Sequence, residues 1–141
     1  MAWQTPKTDW ACRYDTDGNY TGDYFNATDY QRIKGNLEYL AEAAESMQIP
    51  ATLPSIPDIT TASFGTAASI NAVEQSLDAL ITAGVYGGWL DARKTWYGNG
   101  TPPLAADLNR IENSCLLLKR ALESQDALRA RLPVVLGKEQ F

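Results

Sequence analysis

Apolar residues recur along three stretches of the chain at steps of three and four, the spacing that lines one face of an α-helix. The first runs Tyr30, Ile33, Leu37, Leu40, Ala44 and Met47. Thr28 is its expected N-cap, with Gln31 completing a capping box, Asp29 at the positive end of the helix dipole and Pro50 as its stop. The second carries Ile70, Val73, Leu77 and Leu80, starting near Thr66 or Ser69 with Gly84 as a C-terminal cap. The third follows Pro102-Pro103 and runs Leu104, Leu108, Ile111, Cys115, Leu118 and Leu122, then Leu128 or Leu132 before Pro133. The pattern predicts helices over Thr28–Gln48, Thr66–Ala83 and Leu104–Leu132. The expected fold is mostly α: a small three-helix bundle with long irregular Trp-rich segments and an extended Pro-rich arm.

The three helices echo one another. Tyr30-Gln31-Arg32-Ile33, Ile70-Asn71-Ala72-Val73 and Leu108-Asn109-Arg110-Ile111 share an apolar, amide, variable, β-branched order. Ahead of the first and third, Trp3 and Trp10 stand seven apart, as do Trp89 and Trp96, and Lys7-Thr8-Asp9-Trp10 is similar to Lys94-Thr95-Trp96. This predicts an internal duplication over residues 3–47 and 89–132 within one helical domain of residues 1–141, each unit a Trp-bearing loop leading into a helix. Between them, residues 48–62 hold Pro50, Pro54 and Pro57 among Ile49, Leu53, Ile56 and Ile59. Prolines this dense favour an extended arm, whose apolar residues need a surface on the chain's own helices or on a neighbouring subunit.

Composition narrows the chemistry. The 141 residues contain no histidine, which removes most general-base, triad and zinc sites. A net charge of −5 argues against nucleic acid as a partner. Cys12 and Cys115 lack metal or redox spacing and read as reduced, partly buried thiols. No signal peptide is visible at the N-terminus, and the apolar stretch Ala79–Leu90 is too short to span a bilayer, so a soluble protein made in a cytoplasm is expected.

No convergent catalytic set stands out. Asp15, Asp17, Asn19 and Asp23 alternate like calcium ligands, but Gly18 falls at the fourth position of that loop and Asn26 at the twelfth, so a side-chain-stabilised turn is the better reading. Asp78, Asp91, Glu112 and Glu123 read as solvated helix-face carboxylates, and nothing marks Lys94 as buried. Arg32 with Asp29 and Arg110 with Asp107 are expected to pair within their helices, and Asn36 and Asn113 to hydrogen-bond loop backbone. Gly98-Asn99-Gly100 is a turn. The tryptophans either cap a small core or anchor a partner. The candidate contact residues are Trp3, Trp10, Trp89, Trp96, Tyr24, Phe25, Ile56 and Ile59.

Three segments carry a resemblance: Trp-x-Thr-Pro-Lys-Thr-Asp-Trp at 3–10, Asp-Tyr-Phe-Asn-Ala-Thr-Asp-Tyr-Gln-Arg-Ile-Lys-Gly-Asn at 23–36, and Ala-Asp-Leu-Asn-Arg-Ile-Glu-Asn at 106–113. They resemble tail-associated structural proteins (tail, baseplate and fibre-attachment components) of bacteriophages of Gram-positive bacteria. The resemblance covers Trp3–Leu40 and Trp89–Leu118. It implies a non-enzymatic, oligomeric virion protein, assembled in the bacterial cytoplasm, without cofactor or metal, that contacts its own copies and other tail proteins. A carbohydrate- or receptor-binding module that stacks host-surface glycans on its tryptophans is the alternative.

Overall fold

The computed structural model describes residues 3–49, 51–56, 67–83, 93–98 and 103–140, the side chains of 128–140 excepted. Three helices form a bundle: α1 (Ala27–Ser46), α2 (Ala67–Thr82) and α3 (Ala105–Gln140). Among the described residues there is no strand, only an isolated antiparallel bridge between Tyr14 and Tyr20. The fold is therefore the mostly α, three-helix bundle that the apolar spacing predicts. The three stripes meet as one core, in which Leu37, Leu40, Leu77, Leu80 and Leu118 are wholly buried.

The helix ends differ in detail from the sequence reading. The α1 N-cap is Asn26 rather than Thr28, and its N–H donates to the Asp29 carboxylate at 2.8 Å, so Asp29 takes the reach-back role expected of Gln31. Asp107 does the same for α3, accepting from the Leu104 N–H at 3.0 Å. A carboxylate three residues into the helix satisfies a donor that the first turn otherwise leaves open, and it faces the positive end of the dipole.

At its other end α1 stops before Pro50, which lies outside the described residues. The Ile49 N–H donates to Ala44 O and the Gln48 N–H to Glu45 O, with Gln48 in the left-handed region at φ +62°. That is a Schellman closure with glutamine in the position glycine prefers. The Gly84 cap expected for α2 also falls outside the described residues. α3 does not end before Pro133 but continues to Gln140, 36 residues and about 54 Å at 1.5 Å per residue. Pro133 removes the one hydrogen bond its missing N–H would make to the Arg129 carbonyl, while the turns on either side keep theirs.

The described part of the proline segment, residues 51–56, lies on the chain's own bundle. Ile56 is buried, and Ile49, Ala51 and Leu53 pack against the same core. Pro57 and Ile59 lie outside the described residues. The stretch Arg13–Asp23 forms a hairpin-like loop, with the Asp15, Thr21 and Asp23 N–H groups donating to Asn19, Arg13 and Ala11 carbonyls. The Asp15 carboxylate accepts from the Asp17 and Asn19 N–H groups, and Gly18 supplies the φ of +84° that the turn requires. Backbone donors close around Asp15, that of Asn19 foremost, and hold its carboxyl below the usual value.

Candidate functional site

The most organised polar chemistry lies where extended segments cross the helices. The Asn109 side chain grips the backbone of Trp10 twice, accepting from its N–H at 2.7 Å and donating to its carbonyl at 3.0 Å. One turn along α3, Glu112 accepts the Trp10 indole N–H at 2.6 Å and the Lys7 backbone N–H at 3.0 Å. The same carboxylate receives the Arg32 guanidinium of α1 through Nε at 2.7 Å and Nη2 at 2.6 Å. Residues three apart share a helix face, so an Asn-x-x-Glu step holds the main chain and side chain of one tryptophan together. An amide is suited to the first task because it carries one donor and one acceptor side by side, as the backbone does.

The arrangement recurs on α2. The Asn71 amide accepts from the Trp96 N–H at 2.7 Å and donates to its carbonyl at 2.8 Å. Glu74 accepts the Trp96 indole N–H at 2.9 Å and two guanidinium nitrogens of Arg110 from α3. Arg32 meets its glutamate side-on, whereas Arg110 meets its own end-on and leaves Nε without a hydrogen bond. A lysine lies over each indole: Lys7 Nζ is 5.2 Å from the Trp10 ring centre and Lys94 Nζ 5.7 Å from that of Trp96.

A third grip is partial. Asn36 of α1 holds the backbone of Gln4 by the same amide pair, at 2.9 and 2.8 Å. Three residues on stands Tyr39, whose ring meets that of Trp3 at 5.6 Å, with Lys119 Nζ 5.3 Å from the indole. The segment from Trp3 to Trp10 is thus fastened at both ends, to α1 by Asn36 and to α3 by Asn109.

Several expectations change here. Glu112 is not a solvated carboxylate but is 1% exposed, because the loop and Arg32 close over it. Arg110 pairs across helices with Glu74 rather than within its own helix with Asp107, whose partner is Lys94. Arg32 does contact Asp29 at 2.9 Å but also reaches Glu112. Asn36 bonds loop backbone as expected, whereas Asn113 is exposed and the gripping residue on α3 is Asn109. Asp78 and Glu123 do lie exposed, paired with Arg93 and Lys119. Asp91 is outside the described residues.

Of the candidate contact residues, Trp10 and Ile56 are buried, while Trp3, Trp96 and Phe25 are half-buried. Tyr24 is 66% exposed, and Trp89 and Ile59 lie outside the described residues. With its ring enclosed and its N–H bonded, Trp10 offers no face to a sugar. Asn71, Asn109 and Glu74 are gripping residues to which the sequence reading gave no role, and Glu112 is one it placed on a solvated face. The signal was present: extending the helix alignment by one position brings Glu74 and Glu112 into register, with Lys34 in the equivalent place on α1.

Outside the grips, Tyr14, Tyr20 and Tyr24 form a ladder of near-perpendicular rings with centres 5.3 and 5.1 Å apart. They border a groove of about 310 Å³ floored by Phe25, Leu104 and Leu108. The Tyr20 hydroxyl donates to the Asp23 carbonyl, and burial foremost, with nearby acidic groups, raises its pKa. Both cysteines are free, Cys12 exposed and Cys115 buried. No group of His, Cys, Asp or Glu among the described residues is arranged to hold a metal ion, and no helix among them is long and apolar enough to cross a membrane. No family model, curated protein or solved structure matches the chain.

Proposed function

We propose that this chain is a non-enzymatic structural component of a phage tail or tail-like particle, an adaptor that makes protein–protein contacts. One observation carries the reading: residues that bear the sequence resemblance fasten the N-terminal Trp loop to the helices. Trp10, Arg32, Asn109 and Glu112 all fall within the resembling segments and close on one another. Buried Glu74, Asp107 and Glu112 are each engaged by a cation and by a further N–H donor, which suits a rigid scaffold better than acid–base chemistry. Such a frame presents loops at fixed positions, as a part repeated under symmetry requires.

The test is composition of the particle. Tails purified from a culture producing the phage or particle that encodes this chain should contain it at fixed stoichiometry by quantitative mass spectrometry. Deleting its gene should block tail completion or adsorption. Intact, adsorbing particles that lack the chain would retire the proposal.

A further inference from the structure

The strap from Trp3 to Trp10 is held to the bundle as a bound peptide would be. Among the described residues, none of its backbone groups bonds another backbone group. Its bonded N–H and C=O groups go to the side chains of Asn36, Asn109 and Glu112. Gln4, Thr5, Thr8 and Asp9 are exposed, whereas Pro6 and Trp10 are buried. A segment with no backbone ladder and half its residues in water opens more readily than the helices beneath it. What the open grip then selects is narrow. It takes a backbone N–H and C=O at two places six residues apart, a further N–H between them and a ring N–H at the second place. A large apolar ring that donates an N–H belongs to tryptophan alone, so the segment that fits is the strap itself.

The linker behind the strap is longer than closure requires. Trp10 and Asp29 lie nineteen positions apart, while Trp96 and Asp107, at the same places in the second unit, lie eleven apart and that unit closes its grip. The extra chain folds back on itself. The Asp23 N–H donates to the Ala11 carbonyl and the Thr21 N–H to that of Arg13, so the hairpin returns to where it left and adds no reach. Drawn out, residues 11–26 span about 54 Å at 3.4 Å per residue, against about 30 Å for the whole of α1. The strap of one copy can thus reach the grip of another while its own α1 stays in its own bundle.

We propose that the strap is exchanged between copies. In the assembled protein the grip of Asn36, Asn109 and Glu112 takes the Trp3–Trp10 strap of a second copy, with the opened hairpin as tether, and the partner's Trp10 completes the buried Glu112 site. Every contact between strap and helices is kept in the exchange. Only the hairpin's own bonds and those of Asp23 to Ala11 and Lys7 are lost, so protein concentration decides between the closed and exchanged forms. This deepens the adaptor reading above by naming a second copy as one of its contacts.

The test mixes two full chains under oxidising conditions, both carrying Cys12→Ser, one with Gln4→Cys and the other with Asn36→Cys. Residues 4 and 36 hydrogen-bond in the closed chain, and Cys115 is buried. A disulfide-linked heterodimer in clear excess over either homodimer is expected, and a chain carrying both substitutions controls for reach. Light scattering of the concentrated native chain gives a second reading, in which a dimer is expected. Gly22→Ala should raise the dimer's association constant about tenfold, because the added Cβ crowds Ala11 O and Arg13 N only while the hairpin is closed. The proposal is overturned if the heterodimer does not exceed the homodimers while the doubly substituted chain closes its disulfide within one copy. It is overturned equally if the native and Gly22→Ala chains both stay monomeric. Incorporation into tails is read separately, so a monomer that still enters them at fixed stoichiometry removes this inference and leaves the adaptor reading standing.

Discussion

At the scale of single residues, backbone geometry and burial set the outcome. Gln48 holds φ at +62°, where a side chain is strained and glycine is not. Gln48→Gly should therefore stabilise the chain by about 0.5–1 kcal/mol in thermal or urea unfolding, the αL strain relieved less the extra entropy of an unfolded glycine. Gly22 is the opposite case: a Cβ there would stand 2.5 Å from Ala11 O and 2.7 Å from Arg13 N, both backbone atoms. Gly22→Ala should therefore splay the tyrosine loop, visible as loss of the near-ultraviolet tyrosine signal, while the helical far-ultraviolet signal persists. The two thiols diverge for a physical reason, since burial foremost pushes Cys115 up to about 12 whereas Cys12 is exposed. At pH 8 the folded chain should take up one equivalent of iodoacetamide, at Cys12, and a second only in denaturant; labelling of Cys115 in the native state would contradict the burial described.

At the scale of elements, each inter-helix Arg–Glu pair shares its glutamate with a tryptophan grip, so pair and grip form one network at each site. Removing one member of a buried charge pair is far worse than never having had it, because the partner is left desolvated and alone. Glu112→Gln keeps the shape but weakens the hold on Arg32 and Lys7, and a loss on the order of 3 kcal/mol is expected. Adding Arg32→Met to it should cost less than the sum of the two single changes in a double-mutant cycle, since both break one network. The Asp107 carboxyl belongs to the same level. Burial works against its ionised form, but the Lys94 ammonium and the Leu104 N–H outweigh that and hold its pKa below the ordinary 3.8. A carboxyl depressed in the folded state contributes stability that is full above its unfolded value and fades as pH falls through the folded one. The melting-temperature gap between the native chain and Asp107→Asn should accordingly be constant near neutrality and close below about pH 4.

At the scale of the whole molecule, the apolar stripes placed three helices and a shared core correctly, because a 3.6-residue period is a local property that tertiary packing only has to accept. Absence of histidine, the acidic balance and the paired tryptophans were equally legible. The helix ends were less so. Asn26, Asp29 and Gln48 compete with neighbours of similar propensity, and the end of α3 depended on whether one proline outweighed the turns around it. Asn109 and Trp10 lie 99 positions apart, so no local pattern joins them. Residue type and repetition along the chain thus determined the helices, the stripes that pair them and the likeness of the two units. Only the folded structure decided that Glu112 and Glu74 are buried, which arginine each receives, and that Tyr14, Tyr20 and Tyr24 stack ring against ring. The reason is that a carboxylate's burial and partners are set by which segments cross over it, and those crossings join residues distant in the chain.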